Sequence, residues 1–423
     1  MCPTSRLSNF AFRMKRIIPP PDKAISHRAL ILASLCPGES VLKNVSLCED
    51  VEHTINCLKK MGVWMERRGN VVRIKGGNLK TENLRLYCGG SASTMRFLCG
   101  LLCGLGAENV ILDGDETLRK RPMKQLANLL LAAGASLQLR RKTWPPIIIE
   151  KSFPREKNFF GGVVSAQVKT ALLFNGLVSS KKSVIVEKYP SRTHTENLLK
   201  LFGADISFSG RRIVIRKSGL SPANLKVPGD FSSAAPFVAA AVLKKGLAIK
   251  IEKVGLNEGR IGFLRVLKRM GARVECHVAE RFPEPCGTIH VAYSPALKAT
   301  KVEAEEVPSL IDEIPLLSLV MARAKGLSVI KSANLLRIKE SDRLKAVNVV
   351  LKKVGVENKI RGGSLFIKGG GFKGRLKHDG FGDHRIIMAL HVLKILGAAE
   401  VKIIGKGKTD KSYPNFKRDF YRI

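Results

Sequence analysis

Residues 19–34 read PPPDKAISHRALILAS, and chemistry meets scaffold there within one helical turn. Three prolines hold the chain extended up to Asp22. Lys23, Ser26, His27 and Arg28 follow where an apolar helical pattern of Ile25, Ala29, Leu30, Leu32 and Ala33 begins. Two cations at a helix N-terminus oppose the positive end of the helix dipole by a few tenths of a kcal/mol each. A bound anion removes the conflict. Exposed N–H groups take phosphate or carboxylate, and each charge-assisted hydrogen bond from Lys or Arg adds roughly 1.5–3 kcal/mol. For this stretch alone, solvated surface cations remain the competing reading.

The arrangement recurs. Five further apolar helical runs begin GGSASTMR, VVSAQVK, PGDFSSAA, LIDEIPLL and FGDHRIIM. Ser, Asp and Gly at such places can be simple N-caps, Asp312 included. Capping does not explain Arg96, Gln167, His384 and Arg385. Other helix starts add RKRPMKQL with Arg119, Lys120 and Arg121, SRTHTENL with Ser191, Arg192 and His194, and RIKESDRL with Arg337, Lys339, Glu340, Asp342 and Arg343. The closing segment KTDKSYP adds Lys408 and Lys411. Arg can fork onto a carboxylate or phosphate, whereas Lys is a point charge or, when desolvated, a proton carrier. A guest with several negative charges fits this set.

The elements that would position these residues repeat. An apolar helix, a glycine at its end and a Val/Ile-rich alternating strand recur, with glycines at 38, 106, 176, 246, 326 and 397, spaced 68, 70, 70, 80 and 71 residues apart. In five copies a second helix stops at Gly62, Gly134, Gly203, Gly271 or Gly355, where a left-handed residue is expected, and more strands follow. The sixth copy lacks this second half. The expected fold is therefore α/β (α+β), with three units of about 70 residues in each of two similar domains. The turn at Pro228-Gly229-Asp230 divides them into residues 20–228 and residues 1–19 with 229–423.

The chain has 423 residues and a formal net charge of +38, with 45% hydrophobic residues. Disordered and fibrous classes are excluded. Its longest apolar runs, near 234–243 and 314–322, are shorter than the roughly 18 residues of a membrane span. No signal segment is apparent, and a cytoplasmic protein is expected. Nine scattered cysteines without a C-x-x-C read as reduced thiols, and nothing has metal-ligand spacing. The basic residues form no dense tail, and Tyr and Trp total seven, too few for base-stacking platforms. An anionic small molecule is the expected partner, with no specific nucleic acid and no membrane.

The segments DKAISHRALILASL, TMRFL, GDETLRKRPM, SAQVKTALL, PGDFSSAA, LIDEIPLL, RIKESDRL, GDHRIIMAL and KSYPNF, in this order, resemble the 5-enolpyruvylshikimate-3-phosphate synthase family (3-phosphoshikimate 1-carboxyvinyltransferases) over residues 17–416. The resemblance implies two domains of three βαβαββ units with inward helices, an inside-out α/β barrel, closing as a hinge over an interdomain active site. It implies transfer of the enolpyruvyl group of phosphoenolpyruvate to the 5-hydroxyl of 3-phosphoshikimate, with release of phosphate, in chorismate and aromatic amino acid biosynthesis. By motif, Asp312 takes the hydroxyl proton, and Lys23 with Glu340 serves the methylene and the leaving phosphate. The 3-phosphoshikimate site carries over to Lys23, Ala24, Arg28, Ser165, Ala166, Gln167, Ser191, Asp312 and Lys339. The phosphoenolpyruvate site carries over to Lys23, Ala92, Arg121, Gln167, Arg343, Arg385 and Lys411. No metal or other cofactor is implied, and a monomer is expected.

The chain departs from the family pattern at Ala24, which replaces a hydroxyl residue, and at Leu335, where some members have Asn. Ala166 is a common variant. GGSASTMR differs from GNxGTxMR at Gly90, Ala92 and Ser93. The added methyl of Ala92 should penalise glyphosate, the longer analogue, more than phosphoenolpyruvate. Three alternatives stand beside the main reading: an enolpyruvyl transferase acting on UDP-N-acetylglucosamine, a basic nucleic-acid-binding protein on the same scaffold, and an inactive homologue.

Overall fold

Six helices form where the apolar runs begin: Lys23–Leu35, Ala92–Gly104, Ala166–Ser179, Phe231–Leu243, Ile314–Arg323 and His384–Leu396. They are seen in a computed structural model that describes residues 14–155, 157–163, 165–179, 182–397, 399–404 and 409–423. Residues 1–13 and Lys408, both assigned above from sequence, lie outside the described residues. The six helices are apolar nearly all round, and so belong in a core rather than on a surface. Every residue of Phe231–Leu243 is buried, as is all of Ala92–Gly104 except Ser93. None of the six carries an acidic residue in its first turn. The outer helix Glu49–Lys60, by contrast, opens with Glu49, Asp50 and Glu52.

Around these helices stand five four-stranded sheets of one design. In each, the first strand runs parallel to the second, the second antiparallel to the fourth, and the fourth antiparallel to the third. This is the βαβαββ unit, with the central helix crossing between the two parallel strands. The helix Lys23–Leu35 takes its parallel first strand from Leu225–Lys226, far along the chain, and Phe231–Leu243 takes its own from Lys15–Ile17. The sixth copy has the parallel pair Arg375–His378 and Glu400–Ile403.

Contacts divide the chain into two units. One comprises Pro21–Pro228 with Phe282–Glu284; the other comprises the described residues up to Pro20 with Gly229–Arg281 and Pro285–Ile423. Each has its own core. That of the first unit includes Leu30, Phe97, Phe174 and Ile185, and that of the second includes Phe237, Ile251, Leu317 and Leu390.

All five second-helix glycines have the left-handed backbone expected of them, with φ between 74° and 91°. Gly176 does not stop its helix, which runs on to Ser179. A Cβ there would sit 2.9 Å from Ile215 Cγ2, so close packing, not termination, accounts for that glycine. The same logic is stronger at Gly100 and Gly104. A Cβ on Gly100 would lie 2.1 Å from the carbonyl oxygen of Ala171, and one on Gly104 2.7 Å from that of Asn175. These glycines let two central helices of the first unit touch along their backbones, with Asn175 Nδ2 donating to the Gly100 carbonyl at 3.3 Å. Gly100→Ala is expected to cost about 1–3 kcal/mol through forced separation of the helices. Urea unfolding checks it; a change below about 0.5 kcal/mol would show that the helices can move apart freely.

Candidate active site

The first unit gathers cations and hydroxyls at the fronts of its three central helices. Asp22 and Ser91 cap two of them, accepting from Ile25 N at 2.8 Å and Thr94 N at 3.2 Å. Lys23 Nζ meets Asp50 Oδ2 at 2.8 Å. Arg28 is buried over the Phe97 ring, 4.7 Å from its centroid. Its hydrogen bonds, each 2.7 Å, go to Thr195 Oγ1, the Ala24 carbonyl and Thr170 Oγ1. All three acceptors are neutral. Burial, and next the nearby Arg192, pull its pKa down to about 9, and the guanidinium remains charged at neutral pH. The carboxylates of Glu196, Asp22 and Glu284 act on it only at a distance, and a desolvated cation whose hydrogen bonds go to neutral oxygens favours an anionic ligand.

Gln167 is a junction. Its Nε2 donates to Ser93 Oγ at 2.8 Å, its Oε1 accepts from Arg96, and its backbone N–H donates to Ser165 Oγ at 3.3 Å. Arg96 also donates to the Pro122 carbonyl at 3.1 Å, and Arg121 is buried close by in sequence. Ala92 is buried as the first residue of its helix; Ala24 and Ala166 are half-buried. Ser191 donates to Glu187, which belongs to a buried group with Lys169 and Glu196, whose carboxylates lie 3.1 and 2.7 Å from Lys169 Nζ. His27 acts as scaffold. Its Nδ1 is 2.7 Å from Thr54 Oγ1, which is 2.7 Å from Thr94 Oγ1, and burial takes the imidazole pKa down to about 3, so it stays neutral.

The second unit gathers carboxylates around one buried guanidinium. Arg343 Nε donates to Asp383 Oδ2 at 2.8 Å, Nη2 to Glu340 Oε2 at 2.6 Å and to Asp383 Oδ1 at 3.2 Å, and Nη1 to Asp312 Oδ1 at 3.1 Å. Burial alone would lower the pKa of Arg343, but Asp383, then Glu340 and Asp312, outweigh it and the net shift is upward. Asp312 does not cap its helix, whose N-cap is Glu313. Besides Arg343 it meets Arg260 Nη1 at 2.9 Å and Lys339 Nζ at 3.5 Å. Arg385 Nη1 donates to the Ser232 carbonyl at 2.7 Å, and Asp383 caps the same helix through Arg385 N. Lys411 is half-buried in the turn Thr409–Lys411, and Leu335 packs against the core instead of presenting a polar group.

Within the second unit, then, Asp312, Lys339, Glu340 and Arg343 come together as one network. In the first unit, Gln167 and Ser165 meet, while Lys23, Arg28 and Ser191 each have a separate partner. Sequence reading passed over Asp50, Arg260 and Asp383 as partners. A signal existed for two of them. Asp50 and Arg260 stand near the second-helix starts of the first and fourth copies, as Arg121, Ser191 and Lys339 stand near those of other copies. The cations of the first unit can grip phosphate or carboxylate groups, and the second unit offers two oriented carboxylates suited to proton transfer.

Comparisons with known proteins agree in one direction. The family described as EPSP synthase (3-phosphoshikimate 1-carboxyvinyltransferase) matches residues 14–420. The 3-phosphoshikimate 1-carboxyvinyltransferases of Thermodesulfovibrio yellowstonii and Persephonella marina are 38% and 39% identical, covering 95% and 96% of this chain and 95% of each relative. The solved EPSP synthase of Acinetobacter baumannii superposes with a TM-score of 0.82 at 31% identity, covering 97% of this chain and 95% of that one. The enolpyruvyl transferase NikO of Streptomyces tendae shares the fold, with a TM-score of 0.73 at 15% identity over 96% and 94% of the chains. The chain belongs to the EPSP synthase (3-phosphoshikimate 1-carboxyvinyltransferase) family.

Proposed function

We propose that this chain transfers the enolpyruvyl group of phosphoenolpyruvate to the 5-hydroxyl of 3-phosphoshikimate and releases phosphate, and that both clusters serve that reaction. The observation that supports this reading most is the suspension of Asp312 and Glu340 from one and the same buried guanidinium, that of Arg343. Enolpyruvyl transfer needs two proton-handling groups. One takes the proton of the attacking hydroxyl, and the other protonates the methylene and later removes a proton from the methyl so formed as phosphate leaves. Asp312, oriented by Arg260, Lys339 and Arg343, takes the first role; Glu340 with Lys23 takes the second. Arg28, Ser165, Gln167, Ser191 and Lys339 hold 3-phosphoshikimate. Arg121, Gln167, Arg385 and Lys411 hold phosphoenolpyruvate, with Arg343 aiding through the carboxylates it fixes. Ala24 and Ala166 line the first site without side-chain hydrogen bonds. The same reading has the enzyme act as a cytoplasmic monomer, which sedimentation would check.

Mass spectrometry of the acceptor after incubation with phosphoenolpyruvate tests the assignment. 3-Phosphoshikimate should gain one enolpyruvyl group and UDP-N-acetylglucosamine none; the reverse would overturn it. Ala92, buried at the front of its helix beside Ser91 and Ser93, gives a further expectation. Ala92→Gly should increase sensitivity to glyphosate about tenfold or more, the scale of one methyl's worth of pocket space, with a smaller change in the KM for phosphoenolpyruvate. Equal inhibition of both proteins would remove Ala92 as a determinant.

A further inference from the structure

The strands Arg273–Glu280 and Cys286–Ala292 form a hairpin in the second unit, and their register sets Glu275 directly opposite His290. Strand alternation turns Val274, Ile289 and Val291 into the core, which leaves Glu275, His277 and His290 together on the other face. One potential ligand atom from each of the three lies within 4.8 Å of the other two. The imidazole centroids are 5.4 Å apart, and His277 Nε2 is 4.0 Å from Glu275 Oε2. His290 Nε2 is buried and has no hydrogen-bond partner among the described residues. None of these residues belongs to the catalytic clusters. The positions 275, 277 and 290 carry no spacing signature, because only the pairing of the hairpin makes them neighbours.

We propose that Glu275, His277 and His290 bind a late first-row divalent transition metal such as zinc, which staples the two strands of the hairpin. Two imidazoles and a carboxylate are a donor set that zinc accepts, with water completing the tetrahedron. Bonds of about 2.0–2.1 Å place ligand atoms about 3.4 Å apart, so the cluster must contract by up to about 1.4 Å at its widest. Rotation of the exposed His277 and Glu275 side chains supplies that movement. The neighbouring cation is already engaged, since Lys250, paired across the sheet with His290, meets Glu252 Oε1 at 2.8 Å, and Arg16 donates to the same carboxylate. Cys276 lies between two of the ligands but packs against the core, which excludes it as a fourth.

Equilibrium dialysis of the full chain against zinc chloride tests the site. One zinc per chain is expected, undisturbed by excess magnesium, which prefers oxygen ligands. His277→Asn and His290→Asn should each weaken uptake by at least the roughly 10–100-fold that loss of an outer-shell partner costs. Cys276→Ser should bind as the parent does. Zinc should raise the unfolding temperature of the parent and of Cys276→Ser but of neither histidine variant. Turnover of 3-phosphoshikimate without zinc should be the same in all four proteins. Equal zinc uptake by parent and histidine variants, uptake lost only in Cys276→Ser, or none at concentrations on the order of 100 µM would each overturn the proposal.

Discussion

Arg343→Met is expected to lose about 3–5 kcal/mol of stability and all measurable turnover, because it leaves a buried carboxylate without its counter-charge. Asp383 is fully buried and receives two of the guanidinium's hydrogen bonds. Methionine fills much of the volume but donates nothing. The pH dependence distinguishes this cause from a packing defect. Burial raises the pKa of Asp383, yet Arg343 overcomes that and the net shift is downward. In the parent, the stability linked to Asp383 is present above the unfolded pKa of about 3.9 and is lost as pH falls further. Without Arg343, burial and the Glu340 carboxylate outweigh His384 and the hydrogen bonds from Ser341 and the Arg385 N–H, the folded pKa rises above the unfolded one, and the penalty is relieved as pH falls through it. The gap in stability between parent and variant should therefore narrow from pH 7 towards about pH 4. The double variant Arg343→Met/Asp383→Asn should recover most of the stability but none of the activity, since Asp312 and Glu340 lose the guanidinium that fixes them relative to each other. A gap that does not change with pH would assign the loss to packing.

Asp312→Asn should lower kcat by about 10²–10⁴ with little change in KM, the usual scale of a missing general base. The amide retains an oxygen to accept from Arg343, Arg260 or Lys339, so the site keeps its shape. What it cannot do is take a proton from a hydroxyl. Stability should change by less than about 1 kcal/mol, which separates this substitution from Arg343→Met. Steady-state kinetics together with heat unfolding read both quantities. A variant with unchanged kcat would remove Asp312 from the proton transfer, and one that unfolds would make it a structural carboxylate.

The repeat was legible because its signals are local. Glycines at 62, 134, 203, 271 and 355 each mark a left-handed stop, and the Val/Ile alternation after each helix becomes a strand. Gly176 misled for a physical reason: a glycine that admits a neighbouring side chain looks, in sequence, like one that ends a helix. Where the first strands come from was not legible. Leu225–Lys226 and Lys15–Ile17 are short and unremarkable, and only pairing with distant partners makes them strands. The site divides the same way. Lys23 and Arg28 are visible as cations out of place at a helix start, whereas Glu340, an ordinary ion-pair candidate by itself, stands out only through the family resemblance. Asp383 looks like an ordinary cap, which it also is, and its second role exists only because Arg343 reaches it from 40 positions away. Asp312 is the opposite case, since its residue type suggested a cap and the three cations around it show otherwise.

Phosphate release from phosphoenolpyruvate, followed with and without 3-phosphoshikimate, tests most directly whether the cations of one unit and the carboxylates of the other serve a single two-substrate reaction. The account predicts release only when both are present, abolished by Arg343→Met and slowed by Asp312→Asn. Release that is independent of 3-phosphoshikimate, or no release at millimolar concentrations of both, would contradict it.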